Sequence, residues 1–284
     1  GIQNARTPMI LTVAVNVFNI VGNLVFVYGF GMNSDGVAYG TLCAQYLGLL
    51  IAFRILTTMA SPLHQSVNWQ HVLLLSALRR YFSINLDLFL RTLNLIVVFA
   101  FFTLASSWQG SLILAANSIL MQPWAFISFA FDGFAYAAQS LVGRFIGAQD
   151  LSSLKRCIRY LFLWCVGLSL VFTTFYLFTG EWILAGFTDK EEVVLVALKY
   201  WYWVAYGAFL SSFAYIWDGI YIGATATRSI RNAMLICAVL FFSSYWILID
   251  ELGNHGLWAA ITVLMIARGL ILTLMAPTRI FQRL

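Results

Sequence analysis

Apolar positions dominate this chain in runs of about twenty, and the polar positions gather in short clusters between them. Crossing roughly 30 Å of hydrocarbon as a helix takes about 20 apolar residues. Eight stretches qualify: Met9–Tyr28, Val37–Met59, Leu86–Ser106, Leu112–Val142, Cys157–Phe178, Val193–Gly223, Asn232–Ile249 and Gly256–Met275. The fourth and sixth exceed the minimum, which allows tilt, protrusion, or for the fourth a kink at Pro123. Thr92 to Phe131 carries no charge but is too long for one crossing, and Ser106-Ser107-Trp108-Gln109-Gly110 supplies the turn. Between the second and third runs, Ser61 to Asn85 holds Pro62, His64, His71 and Arg79-Arg80 around Val72–Leu75. That pattern predicts a linker with an amphipathic helix on the membrane surface.

Charge at the connections predicts orientation. Arg6, Arg79 and Arg80, then Arg144, Lys155, Arg156 and Arg159, then Arg228 and Arg231, then Arg279 and Arg283 all fall at one face. The other face carries Asp35, the uncharged Gln109 turn, the run from Glu181 to Glu192 and Asp250-Glu251. Lys and Arg mark the cytosolic side, so both ends of the chain are expected there. Composition agrees: 62% hydrophobic, 17% aromatic and only 10% charged residues, with a mean hydropathy of +0.86, exclude a water-soluble globule. The net charge of +5 is scattered singly or in pairs, which suits loops and argues against a nucleic-acid partner.

Cys43, Cys157, Cys165 and Cys237 show no metal-ligand spacing and read as small apolar packers, so no metal is expected. No HExxH, GxSxG or phosphate-binding glycine loop occurs, and His255 reads as part of a Gly-Asn-His-Gly turn, so an enzyme is not expected. Gly1 stands where an initiator Met would be, so the chain is expected to begin inside a longer one. An internal echo supports this. Arg6-Thr7-Pro8-Met9 opens span one as Arg231-Asn232-Ala233-Met234 opens span seven, and Gly36-Val37-Ala38 opens span two as Gly256-Leu257-Trp258 opens span eight. Parallel repeats of helix sets build many transporters. On that pattern spans one and two close a six-helix unit, spans three to eight form a second, and four helices of the first are missing.

Ionised side chains inside hydrocarbon need a reason, since each costs about 2.5–3.5 kcal/mol to insert. Asp132 and Asp218, each followed by Gly, lie in the cytosolic halves of long spans. Each is either a carboxylate that binds and releases a proton or a structural acceptor. Asn19 and Asn23 share a helix face, and the hairpin is expected to bring Thr41 beside them, as a cation site or as interhelical hydrogen bonding. Asp87 and Arg91, one turn apart, are expected to pair with each other, structurally or as a gate. Met121, Trp124, Tyr136 and Tyr215 are candidate walls for aromatic cations, although packing explains any one aromatic as well.

Several ordered motifs then identify a resemblance. Phe131-Asp132-Gly133-Phe134-Ala135-Tyr136-Ala137, Trp217-Asp218-Gly219-Ile220-Tyr221-Ile222-Gly223-Ala224-Thr225, Arg231-Asn232-Ala233-Met234 and Leu252-Gly253-Asn254-His255-Gly256-Leu257-Trp258 resemble the multidrug and toxic compound extrusion (MATE) family, in its DinF-like branch. Gln3-Asn4-Ala5-Arg6-Thr7-Pro8-Met9 followed by Asn16, Asn19 and Asn23 fits as well.

The resemblance implies an all-α membrane fold of two six-helix bundles. Residues 1–61 would be the last two helices of the N-lobe, 62–84 a cytosolic linker and 85–284 the complete C-lobe. It implies proton- or sodium-coupled export of amphipathic or cationic small molecules by rocking-bundle alternating access. No cofactor is implied beyond H+ or Na+, and the full-length form is expected to be a monomer embedded among lipids in the bacterial inner (plasma) membrane. Asn19, Asn23 and Thr41 match polar positions around a coupling Asp that sits in the family's first helix, a helix not in this chain. Three positions depart from the pattern: Asn23 replaces a carboxylate, Gln139 replaces a common Glu in the substrate path, and Leu86 stands where Arg is common. Two alternatives are kept, a flippase for lipid-linked sugars on the same superfold and a non-transporting membrane fragment.

Overall fold

In the computed structural model, which describes residues 6–60 and 74–281, eight helices are long and apolar enough to cross a membrane. They are α1 (Arg6–Leu24, continued by a π turn over Val25–Gly29), α2 (Ser34–Ala60), α3 (Leu75–Trp108), α4 (Ser111–Gly147), α5 (Leu151–Ala185), α6 (Glu191–Gly223), α7 (Thr227–Leu252) and α8 (Asn254–Arg279). The described residues contain no strand. Such a chain is a multi-pass membrane protein, because lipid offers no partner for free backbone amides and helices satisfy theirs internally.

Each helix contains its predicted run and extends beyond it. Hydropathy registers only the stretch that must avoid water. The polar turns at either end stay helical because their backbone bonds continue past the hydrocarbon. The largest extension corrects the linker expectation: Arg79 and Arg80 lie on the opening turns of α3, so the helix that spans the membrane already begins at Leu75. At 34 residues α3 is about 51 Å long, well beyond a ~30 Å core. Pro62, His64 and His71, and with them most of the expected surface helix, lie outside the described residues, as do Gln3, Asn4, Ala5 and Arg283.

The chain divides into two compact units, Gly1–Leu74 and Leu75–Leu284. The first is a hairpin of α1 against α2. At its crossing a Cβ added to Gly40 would lie 2.7 Å from the Asn23 backbone nitrogen, so the absence of a side chain lets the two helices touch. No residue of α1 is buried within this hairpin.

In the second unit, turns of one to five residues join antiparallel neighbours. Helix α6 is central, packing on α4, α5 and α8. Helix α8 also packs on α7, and α3 lies against α7 and α4. The core runs through all six helices and contains Phe102, Phe131, Ile216, Tyr221, Phe241 and Trp258. Two buried aromatic side chains find backbone partners across helices: Trp201 Nε1 donates to Tyr176 O at 2.7 Å, and Tyr221 Oη to Leu272 O at 2.6 Å. Pro123 sits inside α4, and its carbonyl accepts from Tyr176 Oη of α5 at 3.0 Å. Cys165 and Cys237 are buried as apolar packers, Cys157 is half-buried, and Cys43 is exposed, contrary to its expected packing role.

Candidate functional site

Glycine sets the geometry of the centre. On α6, Gly219 and Gly223 face α4 so closely that a Cβ on the first would lie 2.6 Å from Ala135 Cα, and one on the second 2.6 Å from Gln139 O. This backbone-on-backbone contact is what a small-xxx-small spacing provides in membranes. It brings Asp132, three residues before Ala135, toward Asp218, the residue before Gly219. The two acids identified from sequence on separate spans thus lie within electrostatic range of each other.

Asp218 is buried, and two arginines hold it. Arg91 of α3 and Arg268 of α8 both donate through Nη2 to Asp218 Oδ2, and Arg268 Nε donates to Oδ1 at 3.2 Å. Arg268 is 1% exposed, so its charge depends on this carboxylate. Its guanidinium carbon also lies 5.9 Å from the centre of the Tyr215 ring, a cation–π distance. Tyr215 shares a 2.5 Å hydrogen bond with Ser128 and packs on Phe131 at 5.7 Å. Asp132 is half-buried and makes no ion pair or side-chain hydrogen bond among the described residues. Two carboxylates and two guanidiniums therefore form one charge-balanced cluster, in which three groups are clamped and one is not.

A second ion-pair layer lies one turn along α3. Asp87 is 2% exposed and accepts from Arg231 Nη1 at 2.5 Å and Thr227 Oγ1 at 3.0 Å, both on α7. The expected Asp87–Arg91 pair is therefore not formed. Spacing of four residues allows such a pair on an exposed helix. Here both side chains point into the bundle, where each meets an opposite charge on another helix and exchanges water for a tertiary partner. Arg268 was not singled out in the sequence, although an Arg inside the apolar run from Val263 to Leu274 is itself the signal that every embedded ionisable group needs an explanation.

In the first unit the hairpin does bring Thr41 to Asn19 and Asn23. Asn19 Nδ2 donates to Thr41 Oγ1 at 3.0 Å, and Asn23 Nδ2 to Asn19 Oδ1 at 3.1 Å. Asn23 Oδ1 is buried with no partner among the described residues.

The aromatic wall is not gathered into one lining. Trp124 is buried against Gly207 and Trp258, Met121 packs on the core, and Tyr136 is 71% exposed on α4. Gln139 is exposed too, with its backbone against Gly223. Of the five path candidates only Tyr215 touches the charged cluster. Spacing along one helix does not say which face the neighbouring helices occupy.

At the opposite end a polar network joins Ser106 and Asn254, both at helix turns, to Asn117 and Trp258 inside the spans. Asn117 and Asn254 exchange amide hydrogen bonds at 2.8 and 3.0 Å, Asn117 Nδ2 also donates to Ser106 Oγ at 2.7 Å, and Trp258 Nε1 donates to Asn117 Oδ1 at 2.9 Å. Both Asn are buried. His255 is likewise more than a turn residue, since its Nδ1 accepts from Trp203 Nε1 at 3.0 Å.

This helical bundle, with its buried charges, has clear relatives. The chain is 35% identical over 270 residues to DNA damage-inducible protein F of Escherichia coli strain K12, covering 95% of this chain and 59% of that protein. It is 29% identical to Protein DETOXIFICATION 44, chloroplastic, of Arabidopsis thaliana, over 94% of this chain and 50% of that one. Among solved structures, the Vibrio cholerae MATE transporter VcmN in its bent form matches with a TM-score of 0.86 at 17% identity, over 99% of this chain and 64% of that chain. The chain thus spans between half and two-thirds of the length of these relatives. The MatE family model matches residues 88–247, more than half of the chain, so this protein belongs to the MatE family, a family of transporters and not of enzymes.

Proposed function

We propose that the chain serves ion-coupled efflux of amphipathic or cationic small molecules across a bacterial plasma membrane, with both of its ends in the cytosol. The observation that carries this reading is the central cluster, in which Asp218 is clamped by Arg91 and Arg268 while Asp132 has no ion-pair partner among the described residues. A clamped carboxylate cannot take up a proton without stranding the buried guanidinium of Arg268 and the part-buried one of Arg91. Asp132 can. With Asp132 ionised the four charges sum to zero; once it binds a proton or its charge is met by Na+, the cluster carries one net positive charge. A cationic substrate is then disfavoured there, and ion entry and substrate departure become linked as antiport requires. Asn19, Asn23 and Thr41 form a second candidate cation site in the first unit.

Domain assignment follows the same reading, with residues 1–61 as part of one lobe and 85–284 as the other, rocking about a site near the midplane. The flippase alternative needs a cationic path for a phosphorylated lipid, and the charge balance of the central cluster supports the cation exporter over it. The test is dye efflux from cells expressing the protein from its own gene, energised by an imposed proton or sodium gradient. Asp132→Asn is expected to lower gradient-driven ethidium efflux at least tenfold while leaving membrane insertion intact. Unchanged efflux in that variant would remove Asp132 from coupling.

A further inference from the structure

A pocket of about 990 Å³ opens at one end of the second unit, and the central cluster does not use it. Its walls are the first turns of α3, the α6–α7 turn, the start of α7 and the last turns of α8. Four guanidiniums line it, those of Arg79, Arg228, Arg231 and Arg279, against a single carboxylate, Asp87. Arg231 neutralises Asp87 and also donates to Asn232 Oδ1. Arg79, Arg228 and Arg279 have no carboxylate partner among the described residues. The pocket therefore carries three positive charges that pair with no carboxylate among the described residues.

Its remaining donors suit the same kind of guest. Ser229 is only 6% exposed, lines the pocket, and its hydroxyl makes no hydrogen bond with a described residue. Helix α7 begins there at Thr227, and its N-cap Ala226 offers no side-chain cap, so the positive end of a 26-residue helix also faces this region. Guanidinium forks, a free hydroxyl and helix-start amides all seek anionic oxygens, and phosphate offers three or more in the right shape.

We propose that this pocket is a binding site for a phosphate-bearing anion, either the headgroup of an anionic phospholipid or a free phosphate. Position favours access from the membrane surface. The lining residues lie at helix ends, where spanning helices leave the hydrocarbon and meet the headgroup region. The site is independent of the coupling reading, because none of its unpaired arginines touches Asp132 or Asp218.

The test uses the purified chain in detergent. One arm measures retention of a fluorescent phosphatidylglycerol, with phosphatidylcholine as the zwitterionic reference; the other measures binding of inorganic phosphate and its ability to displace the lipid. Arg228→Gln and Arg279→Gln are each expected to weaken the bound probe about tenfold or more, the loss of charge-assisted hydrogen bonds. Arg228→Lys should lie between parent and Gln variant, since it keeps charge and loses the fork. Ser229→Ala should weaken binding less, and Arg159→Gln, an exposed cation elsewhere, should change nothing. Selective retention of phosphatidylglycerol that millimolar phosphate does not displace assigns the site to a lipid headgroup. Binding of phosphate with displacement of the lipid assigns it to free phosphate. If neither probe binds the parent more tightly than the combined Arg79→Gln, Arg228→Gln, Arg279→Gln variant, or if Arg159→Gln weakens binding equally, the proposal is overturned.

Discussion

Replacing Asp218 by Asn removes one negative charge from a place where two guanidiniums converge. Three donor contacts end on this carboxylate, one from Arg91 and two from Arg268, and Asp218 itself is 4% exposed. The amide keeps one acceptor oxygen and turns an NH2 group toward a guanidinium, so at least one arginine is left without a counter-charge. Breaking a buried pair from one side costs about 3–5 kcal/mol, most of it the desolvation of the charge left behind. Carried over from soluble domains of this size, where 1 kcal/mol moves the midpoint by about 2–4 °C, the loss corresponds to a fall of roughly 6–20 °C. Tryptophan fluorescence during heating of the detergent-purified protein reads it, with all variants at one scan rate, because unfolding of such proteins is often irreversible. Asp218→Asn combined with Arg268→Gln restores one positive and one negative charge, Arg91 and Asp132, and should be more stable than the single variant. Asp132→Asn, which breaks no ion pair, should shift the midpoint by less than half as much as Asp218→Asn. The reasoning fails if Asp218→Asn melts within about 2 °C of the parent, or if the double variant is the less stable of the two.

Asn117→Ala strands the amide of Asn254 and the indole of Trp258 in a buried site, and a loss of about 2–6 kcal/mol is expected, as each orphaned group costs about 1–3; a midpoint unmoved by this change would mean water replaces the side chain. Gly219→Leu forces α4 off α6 at Ala135, so the second unit should fail to reach a sharp thermal transition, whereas a cooperative melt at the parent temperature would contradict the close backbone contact. Orientation can be read from single cysteines in a background lacking Cys43, Cys157, Cys165 and Cys237: Asp35→Cys and Glu251→Cys should react with an impermeant maleimide applied outside the cell, and Lys155→Cys should not, the opposite pattern reversing the topology.

Much of this protein follows from local composition. Eight spans are legible because lipid imposes a length and an apolarity on every crossing, and each residue reports its own cost of transfer. The Asn19–Thr41 contact is legible for a related reason, since a short hairpin leaves few ways to arrange two adjacent helices. What sequence could not provide was the partner of each embedded charge. Asp87 had a plausible mate one turn away in Arg91, yet it bonds to Arg231, 144 residues on, while Arg91 crosses to Asp218. Local spacing governs side chains that water can still reach; once three helices close around a carboxylate, the guanidinium that reaches it with the best geometry and the least remaining solvent prevails. The same holds for Asn117 and Asn254, separated by 137 residues and joined only because α4 and α8 begin at the same end of the bundle. Span number and the adjacency of α1 and α2 are properties of the chain read in order, whereas the central cluster and the basic pocket exist only where packing brings distant helices to one point.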